Sequence, residues 1–214
     1  LKKVNSKFPL RPWFYNQSNQ DIFTSVTNKI SSPLQIRPAN PADLSVVAQI
    51  IAESFHSQSG VWGLLFPLLR LGIYEDLRHR LTSSAPHHIC LVAVDINGNE
   101  SNNLVGSVEL GVRFSDSWTQ SGRSFPYLSN LAVNPKYRRR GVASSLLLSC
   151  ERVALTWGFQ DIYLHVLENN HQARQLYLKQ GYRVQKVEFS WNSFIFRGSQ
   201  QIFLHKHLNK DTKS

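Results

Sequence analysis

A chain of 214 residues with 42% hydrophobic content is long enough to build one substantial core and needs no second domain. No apolar run approaches the ~18 residues of a membrane-spanning helix, which excludes a helical membrane protein, and two cysteines, Cys90 and Cys150, each in an apolar run, exclude a disulfide framework and fit a reducing compartment. The net charge of +10 invites a nucleic-acid reading, but the basic residues are scattered through tails, turns and one arginine cluster instead of lying along one groove-entering element, so nucleic acid is disfavoured as a partner.

Residues 1–33 are rich in Ser, Asn and Lys, contain a single acid, Asp21, and show no sustained periodicity, so they read as an N-terminal arm. The chain begins at Leu1 and has no methionine, which fits a processed product or an unusual start codon. A flexible extension is favoured over a presequence remnant, because amphipathic arginine spacing is lacking. Leu34 to Arg37 reads as the first strand, and Asn40 as the cap of a helix from about Pro41 to Phe55. Val61 to Leu81 is apolar early and charged late, with Pro67 expected to break or kink it. His88 to Ile96 and Leu104 to Phe114 flank an Asn97-Gly98 turn, a strong hairpin signal. A polar loop, Ser115 to Ser124, then leads to a fourth strand, Phe125 to Val133.

The segment Tyr127 to Ala143, YLSNLAVNPKYRRRGVA, runs from this apolar strand through a basic turn to a glycine that opens a helix. Unpaired N–H groups at a helix start, with the positive end of its dipole, attract phosphate. Gly141 allows close approach to the backbone, and Arg138, Arg139 and Arg140 supply guanidinium forks that grip phosphate oxygens. A pyrophosphate-bearing cofactor is the natural ligand. The following helix carries one apolar stripe, Val142, Ala143, Leu146, Leu147, Cys150, Val153, Ala154 and Trp157, and stops at Gly158. Neither GxGxxG nor the Walker phosphate loop occurs anywhere in the chain.

Asp161 to Leu167, DIYLHVL, reads as a buried strand, and Asn169 and Asn170 as caps of a helix ending near Gln180, with Gly181 as its stop. Asn170, Ala173 and Tyr177 fall on successive turns of one side of that helix. Strands Tyr182 to Ser190 and Gln201 to Lys206 close the chain, and 209–214 form a polar tail.

Arg138, Gly141 and Ala143 fill the acetyl-CoA signature of the GNAT superfamily of N-acetyltransferases, and NHQARQLY resembles that family's second signature. The resemblance covers about residues 34–208 and implies an α/β (α+β) fold. Its seven-stranded sheet would be mixed but mostly antiparallel, flanked by helices and splayed between the fourth and fifth strands. It further implies acetyl-CoA as co-substrate. Backbone groups of Leu131, Ala132 and Val133 would hold the pantetheine arm and carbonyl, and the amides of Arg139 to Ser144, Val142 and Ala143 included, would take the pyrophosphate. Asn170 and Ala173 would line the arm, and Tyr177 would face the sulfur as general acid. Trp62, Phe66, Leu69 and Tyr74 lie where the family borders its acceptor entrance; packing on the sheet is the plainer reading of these four.

The pair Tyr127 and His165 is similar to the tyrosine and histidine that act through water in one branch of protein N-terminal acetyltransferases. A core histidine is the alternative reading of His165, and Glu109 is the alternative base, or else an edge charge. An α-amine, with pKa near 7.7 to 8.0, is partly neutral at physiological pH, whereas lysine, near 10.4, needs about 3 kcal/mol more to deprotonate. A water-mediated His/Tyr base suits the former, so the expected acceptor is a peptide or protein α-amine, with lysine second. Acetylation of small amines and a non-catalytic CoA-binding regulator are the alternatives. No histidine or cysteine set has zinc spacing, and no metal is expected. The expected compartment is cytoplasmic, with plastid stroma as the alternative; oligomeric state is not legible.

Overall fold

The computed structural model describes residues 34–55, 61–82, 87–97, 103–114, 124–188 and 200–209. Expectations for the arm, the tip of the Asn97-Gly98 turn, the loop 115–123, the Trp62 side chain and the tail from 210 fall outside what is described.

Strand β1 (Leu34–Pro38) delivers the chain to Asn40, whose side chain accepts from the Asp43 N–H while the Asp43 carboxylate accepts from the Asn40 N–H. This reciprocal capping box satisfies two helix-start donors. Arg37 clamps the same carboxylate through both guanidinium nitrogens, at 2.6 and 2.9 Å. The expected helix therefore opens with a 3-10 turn, Pro41–Asp43, before α1 (Leu44–Phe55). Leu44, Val47, Ala48 and Ile51 of α1 are buried in one cluster with Cys90, Val92, Leu104 and Ala132.

Helix α2 runs unbroken from Val61 to Thr82 with Pro67 inside it, so the expected break does not occur. Proline at this position removes a single i→i−4 bond, to the Gly63 carbonyl. The rest of α2 is held from its far end, where Leu77 is buried against the α1 cluster and Arg78 and Arg80 pair with Glu75 and Asp76 one turn earlier.

Strands β2 (His88–Asp95), β3 (Leu104–Phe114), β4 (Ser124–Val133), β5 (Asp161–Leu167), β6 (Arg183–Glu188) and β7 (Gln201–His207) join β1 in one seven-stranded sheet, ordered β1-β2-β3-β4-β5-β7-β6. Every pairing is antiparallel except β4 with β5. That parallel contact is limited to Tyr127 with Tyr163 and Leu128 with Leu164, beyond which the strands separate. The splayed mixed sheet is thus the one expected. Strand β5 departs from the fully buried reading: Ile162, Leu164 and Val166 are buried while Asp161, Tyr163, His165 and Leu167 are half-exposed on the other face. One face is covered by a helix and the other is partly open, which produces alternation.

Helix α3 (Val142–Thr156) packs on the sheet with Val142, Leu146, Leu147, Cys150, Val153 and Ala154 buried, while Ala143 and Trp157 of the expected stripe are only half-buried. Its closeness is set at Gly106 of β3, where a Cβ would meet the Ala132 carbonyl and Val142 at 3.0 Å. Gly158 ends the helix with φ of 88°. Helix α4 (His171–Lys179) follows β5, capped by Asn170, whose side chain accepts from the Ala173 N–H. Among the described residues no helix is long and apolar enough to cross a membrane.

Candidate active site

The gap between β4 and β5 lies on the strand that leads, through a basic turn, into α3. Asn134 N–H donates to the Val105 carbonyl of β3. Because successive residues of a strand turn their backbone groups to opposite sides, Ala132 also faces β3, and Leu131 and Val133 face the gap. The Arg138 Nε contact with the Val133 carbonyl, 3.4 Å, lies on that side.

After Val133, a short 3-10 turn at Pro135–Tyr137 swings the chain round, and Arg139 and Gly141 take left-handed backbone, φ 65° and 83°. A Cβ on Gly141 would touch nothing within 4 Å, so its backbone angle, more than space, calls for glycine. Gly141 caps α3 with no side-chain hydrogen bond. Its carbonyl accepts from Ser145 N–H, as a helix start requires, and the N–H groups of Val142, Ala143 and Ser144 point out of the first turn. Arg138, Arg139 and Arg140 are exposed beside them, with Arg140 5.3 Å from the Tyr137 ring. Open donors, a 15-residue helix dipole and three guanidinium groups fit a pyrophosphate. Gln180, at the end of α4, donates to Ser144 Oγ at 3.1 Å and ties the second helix to this loop.

The candidate catalytic side chains come from three elements. Tyr127 of β4 and His165 of β5 meet with the phenol oxygen 2.8 Å from Nδ1. Either atom can donate, according to the histidine tautomer. Arg113 of β3 lies over the Tyr127 ring at 3.5 Å from its centroid. Tyr177 of α4 is buried, 8% exposed, against Tyr182 with ring centroids 5.7 Å apart. Burial, with Tyr127 nearby, pushes its phenol well above the ordinary value and keeps it protonated. Asn170 and Ala173 lie on the same helix, the Asn170 side-chain oxygen engaged in the cap.

Glu109 is neither an edge charge nor an open base. It is 1% exposed, and its carboxylate accepts from Asn130 Nδ2 at 2.6 Å and meets Arg80 Nη1 and His88 Nε2, each at 3.2 Å. Burial alone would raise its pKa, but the hydrogen bonds from His88 and Asn130 and the charge of Arg80 outweigh it and hold the carboxyl below the usual range.

Phe66 and Tyr74 line a groove of about 630 Å³ between α1 and α2, together with Ser45, Ala48, Pro67, Arg70 and Leu71. Leu69 is half-buried and does not line it. Tyr74 also packs on the α1 cluster, the plainer of its two readings.

Sequence reasoning missed three parts of the site. Arg113 stands diagonally across the β3–β4 ladder from Tyr127, which pairs with Gly111; the hairpin register held that signal. An aromatic row continues from the pair, with Phe203 4.7 Å from His165 and 5.4 Å from Tyr163, and Phe125 5.2 Å from Tyr163. The Asn130 partner of Glu109 is the third. His205 and His207 of β7 both reach Asp161, at 2.7 and 3.0 Å. Among the described residues no group of three His, Cys, Asp or Glu side chains is arranged to hold a metal ion.

Residues 54–182 match the acetyltransferase (GNAT) family. GCN5-related N-acetyltransferase 10, chloroplastic, of Arabidopsis thaliana is 25% identical over 95% of this chain and 87% of its own length. Thialysine N-epsilon-acetyltransferase of Mus musculus is 32% identical over 69% of this chain and 92% of its own. The crystal structure of Arabidopsis thaliana NAA60 in complex with a bisubstrate analogue shares the fold, with TM-score 0.63 and 21% identity over 82% of this chain and 99% of that one. With a family match across most of the chain and the splayed sheet and glycine-led helix that the family fold requires, the protein belongs to the GNAT family of N-acetyltransferases, and acetyl-CoA is its acetyl donor.

Proposed function

We propose that residues 34–208 form a catalytic domain that moves the acetyl group of acetyl-CoA to protein amines, N-terminal α-amines first and lysine second. The observation that carries this reading is the Tyr127–His165 contact of 2.8 Å beside the β4–β5 gap. An amine attacks a thioester only when neutral, and its proton must leave as the carbon–nitrogen bond forms. An α-amine needs a modest base, which a histidine bonded to a phenol supplies directly or through one water; Arg113 over the phenol adds a fixed positive charge. Backbone groups of Leu131 and Val133, which face the gap, polarise the thioester carbonyl, while those of Ala132, expected to share this role, are turned to β3. Tyr177 gives a proton to the departing thiolate; its raised pKa keeps it protonated beforehand but also makes it the weaker acid, so the transfer depends on close contact with the sulfur. The amides from Arg139 to Ser144 and the three arginines hold the pyrophosphate, and Asn170 and Ala173 flank the arm.

A small amine is the second reading, favoured by the activity for which the thialysine relative is named. A cationic small acceptor calls for a carboxylate to receive it. Asp161 and Glu109, on the same sheet face as Tyr127 and His165, are both already bound by basic side chains. The chloroplastic relative supports the plastid stroma over the cytoplasmic alternative.

CoA release with acetyl-CoA and a mixed library of N-terminal and lysine peptides, the acetyl group located by mass spectrometry, tests the assignment. Product at α-amines is the expected result. Acetylation of thialysine or polyamines with no peptide product would replace it by the small-amine reading, and tight acetyl-CoA binding without turnover of any amine would replace it by the regulator.

A further inference from the structure

Asn130 holds φ of 52° in the middle of β4, a conformation that costs any residue with a side chain and asparagine least after glycine. The reason is a bulge. On β3, Ser107 pairs with Ala132 and Glu109 pairs with Ser129, so Val108 alone stands opposite both Asn130 and Leu131. The extra residue sets the phase of everything after it. A regular strand would turn Ala132 toward the gap and Leu131 and Val133 toward β3, since a one-residue slip reverses every backbone and side-chain direction.

The Asn130 side chain is anchored from beneath. Its Nδ2 donates to Glu109 Oε1 at 2.6 Å, and Glu109 Oε2 is held by Arg80 of α2 and His88 of β2. One buried carboxylate thereby joins the bulge to two further strands and a helix. A buried ion is costly to keep unless fully partnered, and this one has a partner for each oxygen.

We propose that Glu109 is a positioning residue for acetyl transfer: acting through Asn130, it fixes the β4 bulge so that the backbone of Leu131 and Val133 faces the thioester. The inference rests on the reading that these backbone groups polarise the carbonyl. It gives Glu109, the most buried carboxylate among the described residues, a role distinct from that of a base.

A double-mutant cycle tests it, with kcat, KM for acetyl-CoA and thermal melting measured for each variant. Glycine adopts left-handed backbone without an anchor, so Asn130→Gly retains most of kcat while Asn130→Ala loses about tenfold, a fraction of what removing an oxyanion donor outright costs. Glu109→Gln lowers kcat about tenfold in the native background and by less than about twofold in the Asn130→Gly background, since its effect passes through Asn130. KM for acetyl-CoA stays near the native value in all of them, the pyrophosphate loop being untouched. Melting temperature falls with Glu109→Gln in both backgrounds, which separates folding from positioning. Equal kcat losses from Glu109→Gln in the two backgrounds, or a defect in Asn130→Gly as deep as in Asn130→Ala, would overturn the proposal. A native enzyme that binds acetyl-CoA yet transfers acetyl to no amine would overturn the underlying reading, and the proposal with it.

Discussion

The arginine-rich turn into α3 and the Tyr127–His165 cluster, the proposed pyrophosphate and proton-transfer sites, are opposites in construction. From Arg138 to Ser144 the anion site is a single stretch of chain, and its chemistry comes from backbone donors and a helix start that a strand, a turn and a glycine produce locally. Tyr127 and His165, by contrast, are 38 residues apart and meet only because β4 and β5 pair in parallel at Tyr127 and Tyr163. Glu109 and Asn130 are 21 residues apart and depend on a bulge as well. A site made of backbone tolerates side-chain change at most positions, while a site made of distant side chains fails with one of them.

That contrast predicts the largest effect at the distant cluster. Tyr177→Phe, which keeps the ring and removes the proton, lowers kcat by about 10²-fold or more with KM for acetyl-CoA little changed. His165→Ala gives a comparable loss, measured by steady-state CoA release. A Tyr177→Phe enzyme with native kcat would break the comparison by showing that the cofactor loop alone suffices.

A smaller effect is expected in the loop. Gly141→Ala meets no neighbour, so its cost is backbone strain at φ of 83°, about 1–2 kcal/mol. The expected outcome is a rise of about tenfold in KM for acetyl-CoA with kcat largely preserved, the reverse of the Tyr177 pattern. Loss of kcat without loss of affinity would show that the loop sets thioester geometry and not only binding.

A third effect, read in stability, sharpens the role of Glu109. Its folded pKa lies below its unfolded value, so its contribution is present above the unfolded value, about 4.3, and is lost as pH falls through the folded value. Thermal melts should therefore show native stability declining below about pH 4.3 more steeply than that of Glu109→Gln. At neutral pH the variant melts about 4–8 °C lower, the shift that ~2 kcal/mol gives in a domain of this size.

Much of the fold was legible because its signals are local. Asn40 and Asn170 announced their helices by side-chain chemistry at the cap, Gly158 and Gly181 ended theirs with left-handed backbone, and DIYLHVL marked β5 to the residue. Of the two outcomes expected at Pro67, the break does not occur, because the rest of α2 is held beyond it by the buried Leu77 and the pairs of Arg78 and Arg80. The half-exposed face of β5 was unreadable too: its aromatic and histidine side chains look like core residues until the parallel pairing leaves one side partly open.

By itself the sequence determined the order of elements, the anion loop and the identity of the residues available for proton transfer, since capping, helix periodicity and a glycine at a turn act within a few residues. Only the tertiary structure decided which of those residues work together. Sheet register placed Tyr127 against His165 and Arg113 over the same ring, and the Asn130 bulge set which backbone groups look into the gap. Register is a long-range property: each pairing closes a loop of chain and is chosen by the packing of whole strands, so a linear sequence carries no short signal for it.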